Sequence, residues 1–241
     1  GGFESYIYNA KKYFRDAKIG YIITYYTPNY TERGQKWSYD DYNKLNNTIK
    51  LNILSASELI TDIIILYKEA NPNVNFRISQ NVETTDWDIR ISTISQRSSK
   101  VNHDIMMKEE ILLAVPLTSK FSKNNSLELI SVKDSSFISL GNSKPFRSIC
   151  DNYCFSQGFS PNVVFESDNP STVRNLIGAG LGIGFWPAYS WGKLKSDKVK
   201  LIHISKPNCN REIVISRQNK KANLDLQNDF YKFVLEYLKT I

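Results

Sequence analysis

Asn162-Val163-Val164-Phe165-Glu166-Ser167-Asp168-Asn169-Pro170-Ser171-Thr172-Val173-Arg174-Asn175-Leu176-Ile177-Gly178-Ala179-Gly180-Leu181-Gly182-Ile183-Gly184-Phe185-Trp186-Pro187 reads as strand, helix and strand in direct succession. Residues 162–166 form the first strand. Asp168-Asn169-Pro170 opens the helix, with an Asx residue to cap it and a proline at the first helical position. Gly178-Ala179-Gly180 ends it, and residues 181–187 return as a strand. Strand, helix, strand is the rhythm of an α/β domain.

Upstream, Phe137-Ile138-Ser139-Leu140 predicts a short strand and residues 145–157 a helix that stops at Gly158. The same rhythm occupies the first half of the regular region. Residues 50–54 alternate as a strand, and Leu59, Ile60, Ile63, Ile64, Tyr67 and Ala70 mark a helix that ends at Asn71-Pro72. Ser55 and Glu58 have the spacing of a capping box. Residues 74–78, 87–92 and 110–116 predict further strands. The run Ile111-Leu112-Leu113-Ala114-Val115 points to burial on both faces, as in a parallel sheet. Downstream, residues 199–204 and 212–216 read as strands, and Leu226, Phe230, Phe233, Val234 and Tyr237 line a closing helix. Two α/β units joined by a crossing imply two lobes around a cleft.

The 241 residues suit one large domain or two intimate subdomains, and 41% apolar content supports a sizeable core. No apolar run reaches the roughly 18–20 residues of a membrane span; Ile63-Ile64-Ile65-Leu66-Tyr67 ends within five. Three cysteines, Cys150, Cys154 and Cys209, and no export-type N-terminus predict reduced, buried thiols in a cytoplasmic protein. The net charge of +7 is diffuse, which is the pattern of a solvated surface rather than of a nucleic-acid stripe. Nine of the 14 tyrosines lie in residues 1–50. There Phe3, Tyr6, Ile7, Ala10, Tyr13, Phe14 and Ala17 predict a striped helix, and residues 18–47 carry no sustained period.

The segment from Phe165 to Pro187, with residues 137–140, Arg147 and Gly158-Phe159, resembles the effector-binding domain of LysR-type transcriptional regulators. Residues 111–116 with Phe121 and Leu127, and the turn Asn71-Pro72-Asn73-Val74, extend the resemblance over about residues 48–241. Residues 2–17 are similar to the start of that family's linker helix; the winged helix-turn-helix that precedes it there is absent from this sequence. Eight residues separate Ile78 from Trp87, where the family carries a helix close to its subunit interface. The resemblance implies an α/β fold of two Rossmann-like lobes around a cleft, type-2 periplasmic-binding-protein-like. Residues 49–118 and 208–241 would form lobe I, residues 119–207 lobe II, and residues 1–48 a partial linker with an unassigned Tyr-rich segment. It further implies a small-molecule effector, a homo-oligomer (dimer or tetramer) when intact, DNA contact only through the missing winged helix-turn-helix, and no cofactor or metal.

Ser55-Ala56-Ser57 and Asn169-Pro170-Ser171-Thr172 each follow a predicted strand and open a helix, where free N–H groups and the helix dipole attract anions. Ser55, Ser57, Asn169, Ser171 and Thr172 are therefore candidate ligand contacts, or simply caps of their own helices. The resemblance adds Thr93, Ser95 and Gly141, and Arg147 as a partner for a ligand carboxylate or an exposed salt bridge. Trp186 reads as a core tryptophan rather than a wall of the cleft. Cys150 and Cys154 share a helical face, but His103 and His203 are not spaced to complete a metal site with them. No G-x-S-x-G, P-loop or H-E-x-x-H motif is present, so the reading is a sensor rather than an enzyme. The alternatives are a transporter's solute-binding protein, an enzyme of the same fold, and a stand-alone effector domain that pairs with full-length relatives.

Overall fold

In the computed structural model, which describes residues 47–94, 102–218 and 223–240, strand β1 (Thr48–Ile53) turns Ile49, Leu51 and Ile53 to one buried face. The chain enters helix α1 (Ser57–Ala70) through Ala56, held in the left-handed region at φ 59°. The capping box expected of Ser55 and Glu58 is not formed. Ala56, not Ser55, is the N-cap, so Glu58 falls at the second helical position instead of the third, and no side chain caps the helix. Leu59, Ile60, Ile63 and Tyr67 form the buried stripe of α1. Its end is closed by Asn71, whose backbone N–H and Nδ2 both donate to the Tyr67 carbonyl at 2.9 and 3.1 Å.

Strands β2 (Asn75–Gln80) and β3 (Ile89–Thr93) flank β1 on opposite sides, both parallel to it. The link between them is a short turn through Asn81, at φ 58°, instead of a helix. Strand β4 (Asn102–Pro116) is the long member of the molecule, and β10 (Asn210–Arg217) lies antiparallel between β3 and β4. The closing helix α4 (Leu224–Leu238) packs on the α1 side. There the Tyr67 ring meets Phe230 and Phe233 edge-on at 4.9 and 5.1 Å, and its hydroxyl donates to Asp229 Oδ2 at 2.7 Å. Its fully buried residues are Gln227, Phe230, Tyr231 and Val234; Leu226, Phe233 and Tyr237 pack only at the edge.

The second half of β4 leaves this sheet and enters the other lobe. Residues 111–116 pair antiparallel with β8 (Gly184–Pro187) and β9 (Val199–Lys206), and β9 pairs with the short β5 (Ser126–Glu128). Ile111, Leu113, Ala114 and Val115 are wholly buried, as their run predicts, but the expected parallel surroundings are not found. Cover on both faces, not strand direction, is what a continuous apolar run reports. Strands β6 (Ser136–Leu140) and β7 (Asn162–Ser167) pair in parallel, joined by α2 (Pro145–Ser156), and α3 (Pro170–Gly178) leads from β7 to β8.

Ile183, just before β8, bridges to β6. The Ile138 N–H donates to its carbonyl at 2.8 Å, and its own N–H donates to Ser136 O at 3.0 Å. The glycines on either side explain how close this approach is. A Cβ on Gly182 would lie 2.8 Å from Ser136 O, and one on Gly184 would lie 2.3 Å from Ile177 Cδ1 and 3.0 Å from Ile138 O. The expected strand over 181–187 is thus a ladder only from Gly184.

The buried apolar residues divide into two clusters. One gathers residues 49–107 and 213–234, the other residues 111–209. The changeover falls inside β4 and at the start of β10, the two strands that cross between the lobes. The striped helix expected at residues 2–17, and residues 18–46, lie outside the described residues. Among the described residues no helix is long and apolar enough to cross a membrane.

Candidate functional site

Helix starts from both lobes open onto one cleft of about 600 Å³, within the range of small-ligand sites. Lobe I contributes Ser57, Glu58 and Thr61 at the start of α1, and Gln80, Asn81 and Val82 at the end of β2. Lobe II contributes Lys144 before α2, Asp168, Asn169, Pro170, Ser171 and Arg174 around the start of α3, and Trp191. Asn169 caps α3 as its sequence predicts, its Oδ1 accepting from the Ser171 N–H at 2.8 Å, and Pro170 takes the first helical turn. Helix N-termini present spare N–H groups and positive potential toward this space, which suits an anion.

The carboxylates of the cleft are Glu58 and Asp168, and one charge pair spans it. Arg174 Nη2 meets Glu58 Oε1 at 2.8 Å, a contact between α3 of one lobe and α1 of the other. The rest of the guanidinium is held from lobe II: Nη1 donates to Trp191 O at 2.8 Å and Nη2 to Ser171 Oγ at 3.0 Å. Trp191 is in turn fixed by Phe146 and Trp186, each 5.4 Å away between ring centroids, and Trp186 is core, as expected. Lys144 adds a second cation at the rim.

Of the residues singled out by sequence, Ser57, Asn169 and Ser171 come together here. Thr93 is buried and lines a separate, less polar cavity of about 480 Å³ with Ile149, Tyr153, Pro207 and Arg211. Ser55 is half-buried on the turn before α1, Thr172 is exposed, and neither lines these two cavities. Gly141 is buried after β6, its N–H donating to Ser167 O at 2.9 Å and its carbonyl accepting from the Lys144 N–H. Ser95 lies outside the described residues.

Arg147 is committed within its own lobe. Nε lies 2.8 and 2.7 Å from the two oxygens of Asp151, and Nη1 reaches Glu166 Oε2 at 2.9 Å and Leu140 O at 3.0 Å. Burial alone would pull its pKa down; the hydrogen bonds and charges of Asp151 and Glu166 outweigh that and raise it. It ties α2 to β6 and β7 rather than lining the cleft.

Sequence reasoning passed over Lys144, Glu58 and Arg174. For Arg174 a signal existed: Ser171 stands three residues earlier on the same helical face. Cys150, Cys154 and Cys209 are free and buried in the core of lobe II, as expected. Burial pushes Cys154 and Cys209 up to about 12 and raises Cys150 as well, which keeps all three as unreactive thiols.

The crossing strands carry a second polar cluster, away from the cleft. Glu109 on β4 is wholly buried; one carboxylate oxygen accepts from the Tyr189 and Ser190 N–H groups at 2.8 and 2.5 Å. The other accepts from Ser190 Oγ and Arg211 Nε, each at 2.7 Å. The Arg211 guanidinium also lies 4.7 Å over the Phe146 ring. This cluster joins both crossing strands to the loop after β8.

The family model of the LysR substrate-binding domain matches residues 44–239. The transcriptional dual regulator GltC of Bacillus subtilis (strain 168) is 24% identical over 195 residues, covering 77% of this chain and 65% of GltC's own length. Among solved structures, the effector-binding domain of QuiR in complex with shikimate aligns with a TM-score of 0.63 at 20% identity, covering 80% of this chain and 97% of that one. The BenM effector-binding domain with its effector benzoate aligns with a TM-score of 0.65 at 17% identity, covering 80% and 92%. A two-lobed α/β body with its cleft between helix starts, matched over nearly all of the described residues, places this chain in the LysR substrate-binding-domain family.

Proposed function

We propose that this chain is the effector-sensing part of a cytoplasmic LysR-type transcriptional regulator, and that it binds a small organic anion between its lobes. The observation that carries this reading is the cleft of about 600 Å³, with Ser57 from one lobe facing Lys144, Asn169 and Ser171 from the other. Shikimate and benzoate, the ligands named for QuiR and BenM, are both carboxylates, which supports an anion here. Lobe I is taken as residues 49–118 and 208–241, lobe II as 119–207.

A ligand that touches both lobes stabilises one lobe arrangement over others, and shifts that equilibrium only by its differential affinity. In the whole regulator, a dimer or tetramer, the shift would respace linker helices and winged helix-turn-helix domains, which carry the DNA contacts. The role is binding, with no turnover and no cofactor.

The test is calorimetric titration of the chain with a panel of small organic acids and their neutral amides. Saturable binding of an acid but not of its amide, weakened by Ser57→Ala and by Asn169→Ala, is the expected result. Binding of the amides alone, or of neither class, overturns the reading.

A further inference from the structure

Glu58 and Arg174 are the charged pair of the cleft, and their geometry carries more than a lobe-to-lobe contact. Arg174 is oriented from its own lobe by Trp191 O and Ser171 Oγ, while the carboxylate on it is delivered by the opposite lobe. Both side chains line the cleft, together with Lys144. Glu58 is half-exposed and sits at the second position of α1, so its carboxylate is a short tether's length from its anchor. Arg147, by contrast, holds two carboxylates of its own lobe at 2.7 and 2.9 Å, in a triad whose members do not line this cleft.

We propose that Glu58 is a tethered carboxylate that competes with the ligand's carboxylate for Arg174, making Arg174 the anion-selecting residue of the cleft and Glu58 its built-in competitor. This deepens the effector reading above and rests on it. Ligand binding then exchanges one carboxylate for another on the same guanidinium, and the exchange breaks the contact that ties α1 to α3. A tethered competitor weakens the apparent affinity for its rival by its own local concentration. A displaced Glu58 also remains close enough to repel an anion, so removing its charge strengthens the site both by the lost competition for Arg174 and by the lost repulsion. Glu58 is half-exposed, so water screens its charge and the pair contributes little to stability, which lets it yield to a ligand.

The probes are succinate and its neutral diamide, titrated calorimetrically against the wild-type chain and Glu58→Gln. Removing the competitor is expected to tighten succinate by about three- to tenfold, from the lost pair together with the lost repulsion, and to leave the diamide unchanged. Arg174→Gln is expected to abolish the difference between succinate and diamide. A ligand-independent arm measures the distance between spin labels at Asp62→Cys on α1 and Asn175→Cys on α3, both exposed sites. Glu58→Gln should broaden that distribution toward longer distances, and the charge-swapped pair Glu58→Arg with Arg174→Glu should restore it. Equal succinate affinity in wild type and Glu58→Gln, failure of both to bind included, or an unmoved distance distribution, overturns the exchange. Binding of an acid with no Glu58 effect leaves the effector reading standing while removing this one, whereas a wild-type chain that takes up no acid of the wider panel removes the effector reading itself.

Discussion

Glu109→Gln is the substitution by which the crossing strands are best tested. The change keeps the shape of the side chain and removes one charge at a wholly buried position. The oxygen that accepts from the Tyr189 and Ser190 N–H groups can remain an acceptor. The other oxygen becomes an amide NH2 that faces two donors, Ser190 Oγ–H and Arg211 Nε–H, each at 2.7 Å in the native arrangement. Flipping the amide only moves the conflict to the two backbone donors. Arg211, with 5% of its side chain exposed, is left as a buried charge without its counter-ion. Breaking one side of a buried pair costs about 3–5 kcal/mol, mostly the stranded partner rather than the worth of the pair. For a body of roughly 150–250 residues each kcal/mol moves Tm by about 2–4 °C, so the expected drop is about 6–20 °C.

Urea unfolding and calorimetry on the wild type, Glu109→Gln, Arg211→Met and the double variant give the answer. Because the double variant strands no charge, it should lose less than the sum of the singles, with a coupling of about 0.5–3 kcal/mol. A Glu109→Gln protein within about 1 kcal/mol of wild type, or strict additivity of the two singles, would refute the argument.

Four further outcomes follow from the structure. Gly182→Ala should cost about 1–3 kcal/mol, because its Cβ would meet Ser136 O at 2.8 Å and the Ile138 side chain at 3.1 Å; a neutral effect in urea unfolding would mean β6 has room to retreat. Asn169→Ala removes the cap on α3 and should cost about 1 kcal/mol, with Asn169→Asp retaining most of it; equal melting temperatures for the two variants would deny the cap its role. Cys154 and Cys209, raised by burial from the usual 9 to about 12, should resist a thiol reagent near neutrality and label only on unfolding. The same two thiols fix a sign for pH. The folded chain keeps protons that the unfolded chain releases, so stability is full below about pH 9 and falls as pH rises toward 12. Tyr67 and Tyr231, also raised by burial and by their hydrogen bonds to Asp229 and Asp104, add to the fall at the upper end; stability that holds or rises across that window would contradict it.

The elements that could be read in the sequence are those whose cause is local. Ile49, Leu51 and Ile53 alternate because one face of β1 is buried, and Asn169-Pro170 opens α3 because an Asx oxygen and a fixed φ suit a helix start. The salt-bridge alternative for Arg147 is legible on the same ground, since Asp151 stands four residues later on α2. What local pattern does not carry is the pairing of charges far apart in sequence. Glu109 and Arg211 are 102 residues apart, Glu58 and Arg174 are 116, and no periodicity links either pair. Nor does a run such as residues 111–115 state the direction of its neighbours, because burial on both faces is satisfied by antiparallel β8 and β9 as well as by parallel strands.

The start of α1 shows how a small change of backbone redirects a side chain. A left-handed Ala56 shifts the helix start by one residue relative to the capping-box register. In the expected register, Glu58 would have turned back onto the N–H of Ser55 and been spent on its own helix. In the observed one its carboxylate extends across the cleft to Arg174, 2.8 Å away. The same shift leaves the first N–H groups of α1 without a side-chain cap, beside Ser57 at the cleft wall. A conformation that an L-residue adopts at some cost therefore stands where it both releases an acid for the opposite lobe and keeps donors available in the cleft. That coincidence of a left-handed entry and uncapped N–H groups supports the binding role proposed for the cleft, at the expense of helix stability.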